Sequence, residues 1–96
     1  MFNVSESACN VLKDVIEREK QTPNEELLVR LSMGIGWGGP KLNLSLEERK
    51  ITGDQLFEFK GVKLLIHEQD YVHFENTMLD YLSDEKGKFS FKLIKI

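Results

Sequence analysis

The stretch Gly34-Ile35-Gly36-Trp37-Gly38-Gly39-Pro40 holds four glycines, a proline and the only tryptophan, and it lies between two segments that alternate in polarity. On its N-terminal side Leu27, Val29, Leu31 and Met33 point one way while Leu28, Arg30 and Ser32 point the other. On its C-terminal side Leu42, Leu44 and Leu46 alternate with Lys41, Asn43, Ser45 and Glu47. A period of two marks strands with one buried face, so the two segments pair most simply as a long hairpin with 34–40 as a wide glycine loop at its tip. A tight hairpin turn needs one or two glycines, and a seven-residue glycine loop carrying a large aromatic exceeds what a connection requires. Two readings of Trp37 stay open: a contact point for another molecule, or a lid folded back over the core.

Working outward, the N-terminal side is helical. Ser5 stands as an N-cap with Glu6 in the first turn, and Ala8, Val11, Leu12, Val15 and Ile16 recur at helical spacing. Lys13, Asp14, Glu17, Arg18 and Lys20 form the wet face, and Gln21-Thr22-Pro23-Asn24 ends the helix. Cys9 lies beside the apolar stripe and reads as a small, partly buried hydrophobe. Beyond the hairpin, a polar turn over 48–54 leads to a strand at Leu56-Phe57-Glu58-Phe59. Lys60-Gly61 turns the chain, and 62–67 is β-branched and apolar enough for a central strand. Tyr71 and Phe74, three apart behind Asp70, predict one helical turn capped by Asp70. Strands at 78–82 and 88–96, joined by a turn at 83–87, complete a mostly β body with one N-terminal amphipathic helix.

Composition limits the function classes. A chain of 96 residues, 41% of them apolar, makes one domain spanning 1–96 that can bury a modest core without disulfides. The formal charge of −3, with acids and bases interspersed, offers no basic stripe to nucleic acid. A single cysteine forms no internal disulfide and no thiolate cage, which fits a reducing compartment and a cytoplasmic location. No signal segment is visible, and no apolar run approaches the roughly 20 residues of a membrane span.

Catalytic and metal motifs are sparse. His67 and His73 have Glu68, Asp70 and Glu75 nearby, but one histidine ends a strand and the other sits in a helical turn, so local geometry does not aim both rings at one point. Cys9 has no histidine near it in sequence, and no serine stands in a nucleophile elbow. The glycines do not match a dinucleotide fingerprint, and the segment after them alternates as a strand, whereas phosphate loops open a helix. Neither a metal nor a catalytic residue is assigned.

The order of short pieces along nearly the whole chain resembles one family. Ser5-Glu6-Ser7-Ala8, Val29-Arg30-Leu31, Gly36-x-x-Gly39, Phe57-Glu58, Gly61-Val62-Lys63 and Leu79-Asp80-Tyr81 together look like the HesB/IscA family of A-type iron–sulfur carriers. That resemblance implies an α+β, mostly β fold: a compact body of mixed sheets, partly barrel-like, with the N-terminal helix packed on it. Cluster-carrying members of the family place one cysteine in the glycine loop and two in a Cys-x-Cys tail. Here Trp37 occupies the loop position, the sequence as it stands stops at Ile96 without such a tail, and Cys9 matches no ligand position. Iron–sulfur clusters coordinate thiolates, which indole cannot replace. The expectation is a scaffold without bound cofactor or enzymatic activity: an accessory or interaction protein, monomeric or weakly homodimeric. It contacts a protein partner of iron–sulfur assembly, or a client, through Gly36, Trp37, Gly38, Gly39 and Lys41. The alternative is a small-ligand module or enzyme using a pocket beneath the 34–40 loop.

Overall fold

The computed structural model describes residues 1–37 and 39–96, with Ile35, Gly39 and Pro40 described by their backbone alone. The elements run β1 (Phe2–Val4), α1 (Glu6–Glu19), β2 (Leu28–Gly36), β3 (Gly39–Glu47), β4 (Asp54–Phe59), β5 (Val62–His67), α2 (Tyr71–Phe74), β6 (Thr77–Ser83) and β7 (Phe89–Lys95).

The helix starts where its cap dictates. Ser5 is extended (φ −68°, ψ 160°) and its hydroxyl accepts from the Ala8 amide at 3.1 Å, satisfying one of the free donors of the first turn. The same hydroxyl donates to Asp80 Oδ1 at 2.5 Å, which ties the cap to β6. Ala8, Cys9 and Leu12 are buried and Ile16 packs against them, while Val11 and Val15 are only half-buried. The buried stripe is thus rotated slightly from the one read in sequence, and Cys9 lies within it rather than beside it.

β1 has no counterpart in the sequence reading. Three residues are too few to show alternation, and the strand exists because Phe2, Asn3 and Val4 pair in parallel with Thr77, Met78 and Leu79. The pairing extends to the Ser5 amide, which donates to the Leu79 carbonyl at 2.9 Å.

Two mixed sheets result. One is ordered β1-β6-β7, the other β3-β2-β5-β4, with β2 and β5 parallel and the flanking pairs antiparallel. The expectation of mixed sheets with one packed helix holds; the sheets stay open, with no closed barrel. Val29 and Leu31 on β2, Val62, Leu64 and Ile66 on β5, Leu79 on β6 and Phe74 on α2 join Ala8, Cys9 and Leu12 in one core. Phe2 sits at its aromatic centre, edge-on to Phe57, Phe59 and Phe74 with each pair of ring centroids 5.8 Å apart.

Two local expectations are corrected. Asp70 stands at the N-cap position of α2, where its carbonyl accepts from the His73 amide at 3.0 Å, but it is itself helical (φ −94°, ψ −15°) and its side chain makes no cap bond. Leu28, assigned by alternation to the polar face of β2, is buried, as is Leu65 on the same face of the sheet. That face is therefore only partly solvated.

Leu12 is 2% exposed at the contact of α1 with the sheets. Leu12→Ala is expected to lower stability by about 2–5 kcal/mol, the range for truncating a buried leucine, as read by denaturant melting. A shift below about 0.5 kcal/mol, the size of a surface change, would show that the helix is undocked.

Candidate functional site

The glycine-rich stretch is mostly ladder rather than loop. Pairing between β2 and β3 runs from Leu28 opposite Glu47, through Gly34 opposite Lys41 and Ile35 opposite Pro40, to Gly36 opposite Gly39. Of the described residues of the stretch, Trp37 lies outside it. The wide seven-residue loop expected from sequence is corrected to a tight turn on a hairpin of nine-residue strands. The glycines serve this geometry. A Cβ on Gly34 would meet the Asn43 amide nitrogen at 2.6 Å, so the bare glycine lets Asn43 lie flat across the neighbouring strand.

Trp37 projects from the turn with its side chain fully exposed (107%), not folded over the core. Gly36 and Lys41 are exposed beside it, and Gly39 pairs with Gly36 at the end of the ladder. Gly38, the remaining member of the contact set read from sequence, lies outside the described residues. Among the described residues, Gly36, Trp37 and Lys41 line none of the four best-formed clefts.

Behind the turn, on the face of the β3-β2-β5-β4 sheet away from the core, lies a cluster that the sequence reading missed. Arg30 donates through its two terminal nitrogens to the two carboxylate oxygens of Asp54, at 2.6 and 2.8 Å. This is the parallel fork geometry that makes arginine–carboxylate pairs strong. The Asp54 side chain is fully buried, and it also accepts from the Ile51 amide at 2.9 Å. Glu47 approaches Arg30 from β3 at 3.4 Å. The Arg30 hydrogen bonds hold the Asp54 carboxyl below the usual carboxylate range, against the opposing effect of burial. Sequence carried one usable signal, an arginine inside an apolar strand; its partner, 24 residues away, carried none.

Arg30, but not the buried Asp54, lines an open cleft of about 670 Å³ together with Glu47, Arg49, Ile51 and His67. His67 is held in place rather than free to ligate. Its ring packs against Gly53, where a Cβ would meet Nε2 at 2.5 Å, and its Nδ1 accepts from the Gln69 amide at 3.2 Å. His73 is exposed on α2. Among the described residues no three His, Cys, Asp or Glu side chains come together as a metal site.

The donor set does not suit an iron–sulfur cluster. The one thiol, Cys9, is fully buried in the core, with Sγ 3.7 Å from the Phe59 carbonyl. Burial pushes the thiol pKa up, although Lys13 and Lys60 oppose the shift, so the protonated form is favoured where clusters require thiolate.

Fold and site together define a class. This is the architecture of the HesB/IscA-type iron–sulfur proteins, in a chain whose single cysteine fits a form without the family's ligand set. Escherichia coli SufA, described as involved in biosynthesis of iron–sulfur clusters, superposes with a TM-score of 0.75 at 21% identity, over 95% of this chain and 76% of SufA. IscA with its [2Fe-2S] cluster superposes with a TM-score of 0.75 at 17% identity, over 99% of this chain and 82% of IscA. A solution structure of an Aquifex aeolicus protein matches at 25% identity with a TM-score of 0.71, over 95% of this chain and 89% of that one. In sequence, Mycobacterium tuberculosis protein Rv2204c and Mycobacterium bovis protein Mb2227c are each 27% identical over 89 residues, covering 91% of this chain and 73% of the relative. No family model matches the chain.

The ion pair makes a pH-dependent prediction. Because the folded-state pKa of Asp54 is depressed, its contribution is complete above the unfolded value near about 4 and is lost as pH falls through the folded value. Asp54→Asn is expected to cost roughly 2–3 kcal/mol at neutral pH, since Arg30 keeps only Glu47 as a charged partner. Unfolding free energies measured from pH 7 down to 2 should fall less steeply below about pH 4 in the variant than in the wild type.

Proposed function

We propose that this protein is a non-catalytic binding protein on a HesB/IscA-type scaffold. In this reading residues 1–96 act as one domain and serve iron–sulfur cluster assembly without ligating a cluster through the family's cysteines. The contact loop is Gly36, Trp37, Gly38, Gly39 and Lys41, and the partner is a protein of cluster assembly or a client. The observation that carries the reading is the fully exposed Trp37 indole at the end of a paired hairpin. A tryptophan presented on an ordered backbone supplies a large amphipathic contact at little conformational cost, and tryptophans are enriched among the anchors of protein interfaces. The likeness to SufA and IscA supplies the process, since both solved structures are described by the cluster they make or hold.

No reaction is assigned in this reading. The thiol is buried, and the histidines are packed or isolated. The alternative, a small-ligand pocket beneath the 34–40 stretch, draws less support, because the described part of that stretch is a paired ladder. A net charge of −3 disfavours nucleic acid as the partner, and no helix is long and apolar enough to cross a membrane. The reading places the protein in the cytoplasm, in keeping with its single reduced cysteine.

Two measurements test it. Trp37 fluorescence reports the turn alone, and its emission is expected to be red-shifted and strongly quenched by acrylamide. Trp37→Ala should change stability by less than about 0.5 kcal/mol while abolishing capture of the cluster-assembly partner that the wild type crosslinks in cells. Shielded, blue-shifted emission together with a cost of roughly 3–5 kcal/mol for Trp37→Ala would make the indole a structural plug and end the reading. Separately, anaerobic incubation with ferrous iron and sulfide is expected to leave no stoichiometric chromophore after desalting. A chromophore that survives, and is lost in Cys9→Ser, would overturn the cluster-free assignment.

A further inference from the structure

The two layers of the body are unequal: the β1-β6-β7 sheet has three strands and faces a sheet of four. At one side β1 lies over β4, where Phe2 meets Phe57 and Phe59. At the other side β7 is the last strand of its layer, and Phe91 shares an apolar groove of about 190 Å³ with Val29, Leu44 and Leu46 and with Leu12 and Val15 of α1. Leu42, Leu44 and Leu46 of β3 stay only half-buried there, although their stripe faces the core. A fourth strand beside β7 would cover them.

The backbone of β7 is set up to receive such a strand. The Asp84 amide donates to the Lys88 carbonyl at 2.9 Å and the Ile96 amide to the Asn76 carbonyl at 3.0 Å, and both bonds continue the β6–β7 register. Hydrogen-bonded pairs alternate with non-bonded ones along an antiparallel ladder, so Ser90, Lys92 and Ile94 direct their N–H and C=O toward β6. Phe89, Phe91, Leu93 and Lys95 then direct theirs outward, along a seven-residue edge without proline. Charge on this edge has one sign. Residues 86–96 include Lys86, Lys88, Lys92 and Lys95 and no acid, in a chain of net charge −3. Among the described residues none of the four lysines is in an ion pair. By alternation Lys88 and Lys92 fall on the face away from the core, while Phe91 and Leu93 pack toward it.

We infer that β7 is the docking edge for an extended acidic peptide, a partner segment alternating apolar and acidic residues that adds to the smaller sheet as its fourth strand. Partner residues opposite Phe91 and Leu93 place their side chains on the core face, over Leu44 and Leu46, and are the apolar ones. Those opposite Lys88 and Lys92 face away from the core and carry the carboxylates. A second copy of β7 is a poor occupant, because it would lay one lysine-only stretch along another. Nucleic acid fits no better. A few lysines divided between two faces form no basic stripe, and outward amides beside an apolar groove match a peptide backbone with alternating side chains rather than a row of phosphates. The groove involves the base of the β2–β3 hairpin and not Trp37, so the docking edge is independent of the contact assigned to the turn.

A synthetic peptide alternating glutamate with valine is expected to bind, with an affinity that falls as salt is raised, and a peptide of the same composition with its glutamates in one block should bind about tenfold more weakly. Amide hydrogen exchange locates the complex: the Phe89, Phe91 and Leu93 amides gain protection from the peptide, while those of Ser90, Lys92 and Ile94, already bonded to β6, change little. Lys88→Glu combined with Lys92→Glu should weaken binding about tenfold and transfer the preference to a peptide alternating lysine with valine. Phe89→Pro removes one outward donor and leaves the bonds to β6, so it should bind about fivefold more weakly than Phe89→Ala, which keeps the amide. That comparison decides the matter if the double charge reversal does not fold. Equal binding of the block peptide, no added protection at Phe91 and Leu93, or tighter binding of a single-stranded oligonucleotide overturns the inference. So does protection of the Phe91 and Leu93 amides without peptide that grows with protein concentration, which would assign the edge to a second copy.

Discussion

The two sheets share no strand, so no hydrogen-bonded ladder holds one to the other. What joins them is the apolar layer between them, and Phe2 is a member that touches both sides. Its ring meets Phe57 and Phe59 from β4 and Phe74 from α2, while its backbone is paired to β6. One residue near the chain start thus bridges the sheet containing β6 and the sheet containing β4. The neighbouring links depend on this placement: Val4 continues the pairing, the Ser5 amide bonds Leu79, and the Ser5 hydroxyl both caps α1 and holds Asp80. Because α1 begins immediately after β1, docking the strand also sets where the helix lands on β5 and β6.

With the body fixed this way, the hairpin divides into a buried base and an exposed tip. At the base Val29 and Leu31 enter the core on one face, and on the other Arg30 closes over Asp54. An ion pair so thoroughly buried contributes little net stability over an apolar replacement, but losing either partner leaves a charge without compensation. Its consequence here is positional: it locks β2 to the start of β4 across the intervening β5. At the tip nothing buries Trp37, and its substitution is not expected to disturb the body. Burial and exposure are separated along a single hairpin.

The likeness to SufA and IscA, at 21% and 17% identity, lies in backbone architecture. A fold of this kind supplies an ordered turn, and the residue on the turn decides what it can hold. The one thiol, packed in the core against the Phe59 carbonyl, serves as a small apolar filler.

Period and capping are local properties, and they were legible in the sequence. The 3.6 spacing over 8–16, the alternation through 27–33 and 41–47 and the Ser5 cap foretold α1, β2 and β3, and the hairpin between the strands followed from their adjacency. The residues proposed for contact were also visible as residue types, since four glycines around one tryptophan stand out in any context. What sequence left open was everything set by partners far along the chain. β1 exists only because 77–79 lie beside it, and Asp54 reads as part of a polar turn until Arg30 closes on it. The glycine stretch reads as a loop because glycine permits any backbone, and only pairing with the opposite strand extended the ladder to Gly36 and Gly39. Exposure of Trp37 was undecidable for the same reason. A turn lets an indole point inward or outward, and only the packed tertiary structure decided that it points out.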